Sequence, residues 1–238
     1  MPGQRKVQFA NGEIYHIVIR AIDGINLFRG RGDYFRMIHD LFEFNNLSPV
    51  ISTQRVFYHR NKNETGSDPV SFERRERKLL VEILTFCLMP NHVHLLVRQL
   101  QDDGIRKFMQ KFGGYATYFN KKYQRKGHLF QGRYGAVHVK DDRQLMTVFV
   151  YIHTNPIAIL YPGWKEKGIK DAERAIKFLG EYRWSSYLDY LGAKNFPSIT
   201  NRDFLTNLMG GQNDCREFIE DWLNQKRELY DFEVVAIE

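Results

Sequence analysis

Lys78–Gln99, KLLVEILTFCLMPNHVHLLVRQ, is the stretch on which the reading of the fold turns. Lys78 to Met89 is a near-continuous apolar run, which suits a central strand covered on at least one face. Pro90-Asn91 is turn chemistry and the residues after it alternate, so the whole reads as a β-hairpin. Along the second arm, successive side chains point to opposite faces. Val93, Leu95 and Val97 are therefore expected in a core, while His92, His94, Leu96 and Arg98 share the other face. Two imidazoles side by side on a strand can form half of a metal site. Taken alone, the pair equally fits a surface histidine next to one satisfied by a hydrogen bond. The rest of the chain has to supply a third ligand and a use for the ion.

Upstream of the hairpin, Glu13–Arg20 (EIYHIVIR) alternates and is rich in β-branched residues, as a strand would be. Asp33–Asn45 carries Tyr34, Met37, Ile38, Leu41 and Phe42 at helical spacing, with Asp33 as the expected N-cap. Downstream, Gly104–Lys126 reads as one long amphipathic helix with a Phe108, Phe112, Tyr115, Phe119 stripe, weakened in the middle by Gly113-Gly114. Gly135–Lys140 alternates like a short strand. Asp141-Asp142 then caps a helix over Arg143–Leu160, which Pro156 should kink or end. Strand, helix, hairpin, helix, strand, helix gives an α+β, ferredoxin-like (split βαβ) antiparallel sheet with helices on one face. Beyond Tyr161 the chain reads as a C-terminal helical extension, with helices over Trp184–Leu191 and about Arg202–Lys226. That divides the chain into residues 1–160 and 161–238.

With 238 residues and 43% apolar content the chain can bury a substantial core. Its net charge of +7 tilts the partner list toward polyanions. The 18 Phe and 13 Tyr, interleaved with Lys and Arg, suit single-stranded nucleic acid. Two distant cysteines, Cys87 and Cys215, exclude a disulfide framework. Neither a secretory h-region nor a membrane-spanning apolar segment is present, so no membrane partner is expected and the default compartment is a reducing cytoplasm.

Tyr151 and Asn155 are four apart on the helix that Pro156 interrupts, and so share a face beside its apolar stripe. Asn155 offers a carbonyl oxygen, which a hard cation accepts. With two imidazole nitrogens it would leave other positions of an octahedral ion open to polarise a phosphodiester oxygen. A tyrosine oxygen nearby could then attack phosphorus. The structural alternative is a helix-surface aromatic followed by an asparagine that caps the helix end. Tyr115, Tyr118, Tyr123 and Tyr134 are rival nucleophiles on chemistry alone. Tyr115 falls on the apolar stripe, and none of the four has a candidate ligand at i+4 on a helix face.

MPNHVHLLV, GHLFQGRY, YIHTNP and RWSSYLDYLG, in this order and spacing, resemble the single-tyrosine transposases of the HUH endonuclease superfamily. The resemblance is strongest to the insertion-sequence and REP-associated tyrosine transposase group and runs from about Tyr15 to Gly192. It implies that residues 1–160 form the catalytic domain, that His92 and His94 are metal ligands, and that Tyr151 is the nucleophile. Asn155 takes the third-ligand position, where some members have Gln. It further implies a Mg²⁺ or Mn²⁺ cofactor and attack on single-stranded DNA next to a hairpin. The products would be a 5′-phosphotyrosine link and a free 3′-hydroxyl, which a later strand transfer rejoins without ATP.

For DNA contacts the resemblance and the charge pattern select Arg133, in the GHLFQGRY loop, and the cluster Lys121, Lys122, Arg125 and Lys126. The cluster also complements a helix dipole, an entirely structural use. The implied location is cytoplasmic, nucleoid-associated when on DNA. The insertion-sequence branch is typically dimeric, so a homodimer is one expected assembly. A domesticated nucleic-acid-binding protein that no longer cleaves is the alternative activity. The segment over residues 46–77 and the extension depart from compact members of the group and carry no expected role.

Overall fold

A computed structural model describes residues 7–48 and 77–225. Four strands, β1 (Ile14–Arg20), β2 (Val81–Met89), β3 (His92–Gln99) and β4 (Gly135–Val139), form one antiparallel sheet in the order β2-β3-β1-β4. That is the ferredoxin-like arrangement expected from the element order, with the hairpin turning at Pro90-Asn91. The segment around Asn61–Asp68, expected to be a surface loop, lies outside the described residues.

The alternation in β3 resolves as its sequence dictates. Val93, Leu95 and Val97 enter one core with Tyr15, Ile17 and Ile19 of β1. Against them pack α1 (Arg31–Phe44), α2 (Gly104–Gln110) and α3 (Gly113–Lys122). The expected stripe Phe108, Phe112, Tyr115 and Phe119 is buried there, although the single long helix is two helices, broken just ahead of Gly113-Gly114. A Cβ on Gly114 would stand 3.2 Å from the Phe44 ring, so the glycine allows α3 to close on α1. Asp33 proves to lie inside α1, not at its cap. Its carboxylate reaches back to the Gly30 amide at 3.1 Å.

The helices expected on one face cover only half of the sheet's surroundings. Helix α4 (Asp142–Thr154) crosses the opposite face and shares a second core with Leu84, Cys87 and Leu96. The reason is visible in β2 and β3, which are apolar on both sides and so demand two covers. Asp141 caps α4 as expected, its side chain accepting from the Gln144 amide at 2.7 Å. After Pro156 come α5 (Ile157–Leu160), α6 (Trp164–Lys167), α7 (Ala172–Glu181), α8 (Tyr187–Tyr190), α9 (Asp203–Met209) and α10 (Gln212–Gln225). Leu205, Ile219 and Leu223 of the last two bury themselves in this second core, joining the extension to α4.

β2 is an edge strand, not the central one its apolar run suggests. The RWSSYLDYLG segment covers that edge. The Leu88 amide donates to the Trp184 carbonyl at 2.9 Å and the Ser186 amide to the Phe86 carbonyl at 3.0 Å. Tyr190 Oη donates to the Leu84 carbonyl at 2.9 Å. Pairing these groups protects an apolar edge from adding a foreign strand.

Candidate active site

Register places the polar face of the hairpin against β1. Val18 pairs with His94 and Arg20 with His92, while His16 sits opposite Leu96. Directly paired residues share a face and diagonal neighbours lie within reach of long side chains. His16 Nε2 is therefore 3.0 Å from His94 Nδ1, with the two rings nearly parallel at 18°. Both imidazoles are buried, His16 at 0% and His94 at 1% exposure. His92, half-buried, places Nδ1 2.7 Å from Asn91 Oδ1 and its ring centroid 4.7 Å from that of His94.

One choice of tautomers satisfies both contacts and readies the pair for a cation. If Nδ1–H of His92 donates to Asn91 Oδ1, and Nδ1–H of His94 to His16 Nε2, each leaves Nε2 as a bare lone pair. Metal-ligating histidines are usually oriented in this way by a partner on the other nitrogen. His94 Nε2 is buried and has no hydrogen-bond partner. Such an orphan costs about 1–3 kcal/mol unless something binds it. Burial, reinforced by His92, His16, Arg20 and Lys165, holds the His94 imidazole well below the ordinary histidine range. It is thus a neutral base, the form a cation accepts. The pair fits a divalent ion, with a third donor still to come.

Tyr151 comes from α4 onto the same spot. Its ring centroid is 5.6 Å from His94 and 5.7 Å from His16, edge-on to both, and only 1% of the residue is exposed. Asn155, also buried, spends its Nδ2 on the Tyr151 carbonyl at 2.6 Å, capping the helix where Pro156 interrupts it. The capping alternative for Asn155 is therefore real. Oδ1 is the atom it has left to offer a cation. Among the described residues no group of three or more His, Cys, Asp or Glu gathers as a metal cage.

Residues 69–155 match the family model described as Transposase IS200 like. This part of the chain is similar to that transposase family. The matched segment contains His92, His94 and Tyr151 and ends on Asn155. No curated protein matches the chain. Among solved structures, one described as the REP-associated tyrosine transposase bound to a REP hairpin is 12% identical, with a TM-score of 0.46 over 84% of this chain and 95% of that one.

The rival tyrosines of the transposase segment have structural employment. Tyr115 is buried and donates to the Leu27 carbonyl at 2.6 Å. Tyr118 and Tyr123 donate to Asp33 at 2.9 and 2.6 Å. Tyr134 stacks on Phe9 and lines a groove on the α2–α3 side of the sheet. His153 is also structural. It is wholly buried against Phe149 and Tyr190, and its Nε2 lies 2.8 Å from Ser186 Oγ.

The expected DNA contacts divide. Arg133 is exposed and lines that groove with Arg106, Phe112, Phe130 and Tyr134. The loop carrying it continues along the end of β1, where the Gln131 amide donates to the Arg20 carbonyl at 2.9 Å beside His92. Lys121 and Lys126 are exposed at the end of α3. Lys122 is paired with the buried Asp33 at 2.6 Å, and Arg125 Nη1 donates to the His128 carbonyl at 2.7 Å. Those two hold α3 and its following loop in place. Burial would raise the Asp33 carboxyl, but Lys122, Tyr123, Tyr118 and the Arg29 amide together hold it below the usual range.

Two residues at the site escaped sequence reasoning. His16 could have been found, because the ferredoxin order puts β1 beside β3 and His16 alternates into the same face as His92 and His94. Lys165, in α6, places Nζ 3.1 Å from Tyr151 Oη and 4.4 Å from its ring centroid. Nothing local in YPGWKEKG marks it.

Proposed function

We propose that this transposase nicks and rejoins single-stranded DNA through a covalent bond to Tyr151, assisted by Mg²⁺ or Mn²⁺. The observation that carries this is the Tyr151 phenol meeting a buried imidazole whose Nε2 has no protein partner. A nucleophile adjoins a metal-ready nitrogen inside a segment of a transposase family.

His92 Nε2, His94 Nε2 and Asn155 Oδ1 would hold the ion. When bound, it supplies Lewis-acid polarisation of a phosphodiester oxygen. The protein's own residues do the rest. The β1–β3 pairing and the His16 contact fix the imidazoles before substrate arrives, so little reorganisation remains for the reacting step. Burial of Tyr151 in α4 sets its oxygen in one place, which converts the encounter into a positioned attack. A phosphotyrosine conserves the energy of the broken phosphodiester, so rejoining needs no nucleotide cofactor. The groove with Arg133, Arg106, Phe130 and Tyr134 pairs cations with aromatic faces, as single-stranded DNA requires. Recognition of a hairpin beside the cleavage point follows from the motif resemblance. Assembly as a monomer or a homodimer is compatible with this site.

The test uses labelled single strands covering the DNA on both sides of the gene, incubated with the full chain and Mg²⁺ or Mn²⁺. Wild type should form a covalent protein–DNA species that survives denaturing gels. Tyr151→Phe should lose it completely while still shifting the same strands on native gels. A Tyr151→Phe adduct of wild-type yield would remove the nucleophile assignment.

A further inference from the structure

Helix α6 belongs to the extension that the sequence leaves without a role, yet it reaches the reacting oxygen. Its position is built. Gly163 and Gly168 bracket it at φ +75° and +77°, left-handed conformations that close both ends of a four-residue helix. Trp164 anchors it, buried at 5% exposure and edge-on to Trp222 of α10 at 5.7 Å. The neighbouring residue, Lys165, is directed at Tyr151, its ammonium donating to Oη at 3.1 Å. The contact therefore follows from how α6 is seated and not from a surface side chain finding a neighbour.

We propose that Lys165 is a catalytic residue, the cation that holds the negative charge on the Tyr151 oxygen and on the phosphoryl group it attacks. This rests on the reading of Tyr151 as nucleophile. In the step, the Oη–H bond breaks and its proton passes to solvent. An Oη–P bond forms, the P–O3′ bond breaks, and the departing 3′ oxygen takes a proton from solvent to become a hydroxyl. Lys165 keeps its protons throughout and contributes charge and a hydrogen bond. Two features make that contribution specific. The ammonium is already within hydrogen-bond distance of the reacting atom, and that atom belongs to a ring buried edge-on against His16 and His94, where a fixed charge acts more strongly than in water. The extension is then part of the active site, supplying a cation to the Tyr151 oxygen.

The experiment measures single-turnover adduct formation at saturating DNA, alongside affinity for the same strands. Lys165→Met should slow the adduct rate by about 10²–10³-fold, the usual effect of removing one preorganised charge stabiliser, with affinity changed less than about threefold. Lys165→Arg, which restores a cation, should recover at least about tenfold of that loss. Lys165→Cys followed by 2-bromoethylamine rebuilds an ammonium at nearly the same length. The native Cys87 and Cys215 are buried and leave the new thiol as the reactive one. Because the protein is identical before and after alkylation, recovery of rate reports charge and not folding. A wild-type rate in Lys165→Met overturns the proposal, as does a defect confined to affinity or a Cys variant that gains nothing on alkylation. If Tyr151→Phe still formed the adduct, the nucleophile itself would be wrong. An inactive Tyr151→Phe with a fully active Lys165→Met removes only the role given to Lys165.

Discussion

On one face of β3, Val93, Leu95 and Val97 vanish into a closed apolar core. One residue along, His94 is buried just as deeply, yet one of its ring nitrogens meets no protein donor. The same strand thus does two jobs at a period of two. The odd face fills the first core, and the even face sets His92 and His94 beside Leu96, which packs in the second. A core residue is chosen for volume and tolerates no gap. The histidine face keeps a polar atom unsatisfied, which is stabilising only when a ligand arrives. What separates stability from function here is a rotation of about 180° between adjacent side chains.

The largest contrast comes from substituting neighbours on the two faces. His94→Ala should abolish metal-dependent adduct formation, by about 10³-fold or more given the several kcal/mol a Lewis acid supplies. It should lower thermal stability by less than Leu95→Ala does, because the orphaned Nε2 goes with the ring even as His16 Nε2 loses its partner. Leu95→Ala should do the reverse. It should cost about 2–5 kcal/mol by opening a cavity, while folded molecules keep their adduct rate in Mg²⁺. Melting curves and single-turnover rates on both variants check the crossing. Equal loss of stability in the two would dissolve the distinction.

A smaller effect sharpens the even face. His16 is not among the expected ligands; its Nε2 meets His94 Nδ1 at 3.0 Å. Removing the partner of a metal ligand usually weakens metal affinity by about 10–100-fold. His16→Ala should show that loss in Mn²⁺ titrations followed by electron paramagnetic resonance, and His16→Gln, whose side chain can still accept the hydrogen bond, should recover part of it. Unchanged affinity in His16→Ala would reduce His16 to packing.

The smallest effect compares two buried histidines. His153 lies two residues beyond Tyr151 but faces the second core, and burial depresses it to about 3. The native state holds it neutral, whereas an unfolded chain protonates it below about 6.5. Its contribution to stability is therefore complete above about pH 6.5 and declines as pH falls from there toward about 3. Melting temperature should drop on acidification in that window. In His153→Gln, neutral at every pH, the drop should be shallower. An identical slope would place the acid sensitivity elsewhere.

Much of this was legible in the chain because it is local. The hairpin, the parity of β3, the break at Pro156 and the cap at Asp141 are each written within a few residues. His92, His94 and Tyr151 are joined by side-chain chemistry and then by the family resemblance, and folding brings the Tyr151 and His94 rings together. What the sequence hid is tertiary. Lys165 reaches Tyr151 because Trp164 docks α6 on α10, a contact between segments with no local signature. Lys122 and Arg125 read as free cations because nothing nearby announces Asp33 or the His128 carbonyl as their partners. The second layer of helices was missed because an apolar strand reads alike at the edge and in the centre of a sheet.

The central claim is that Tyr151 itself becomes joined to DNA. Wild-type protein trapped on single-stranded DNA, digested with nuclease and protease and sequenced by mass spectrometry, should carry a residual nucleotide phosphate on the Tyr151 peptide and on no other tyrosine. Attachment at Tyr134 or any other tyrosine, or cleaved DNA with no phosphotyrosine at all, would contradict it.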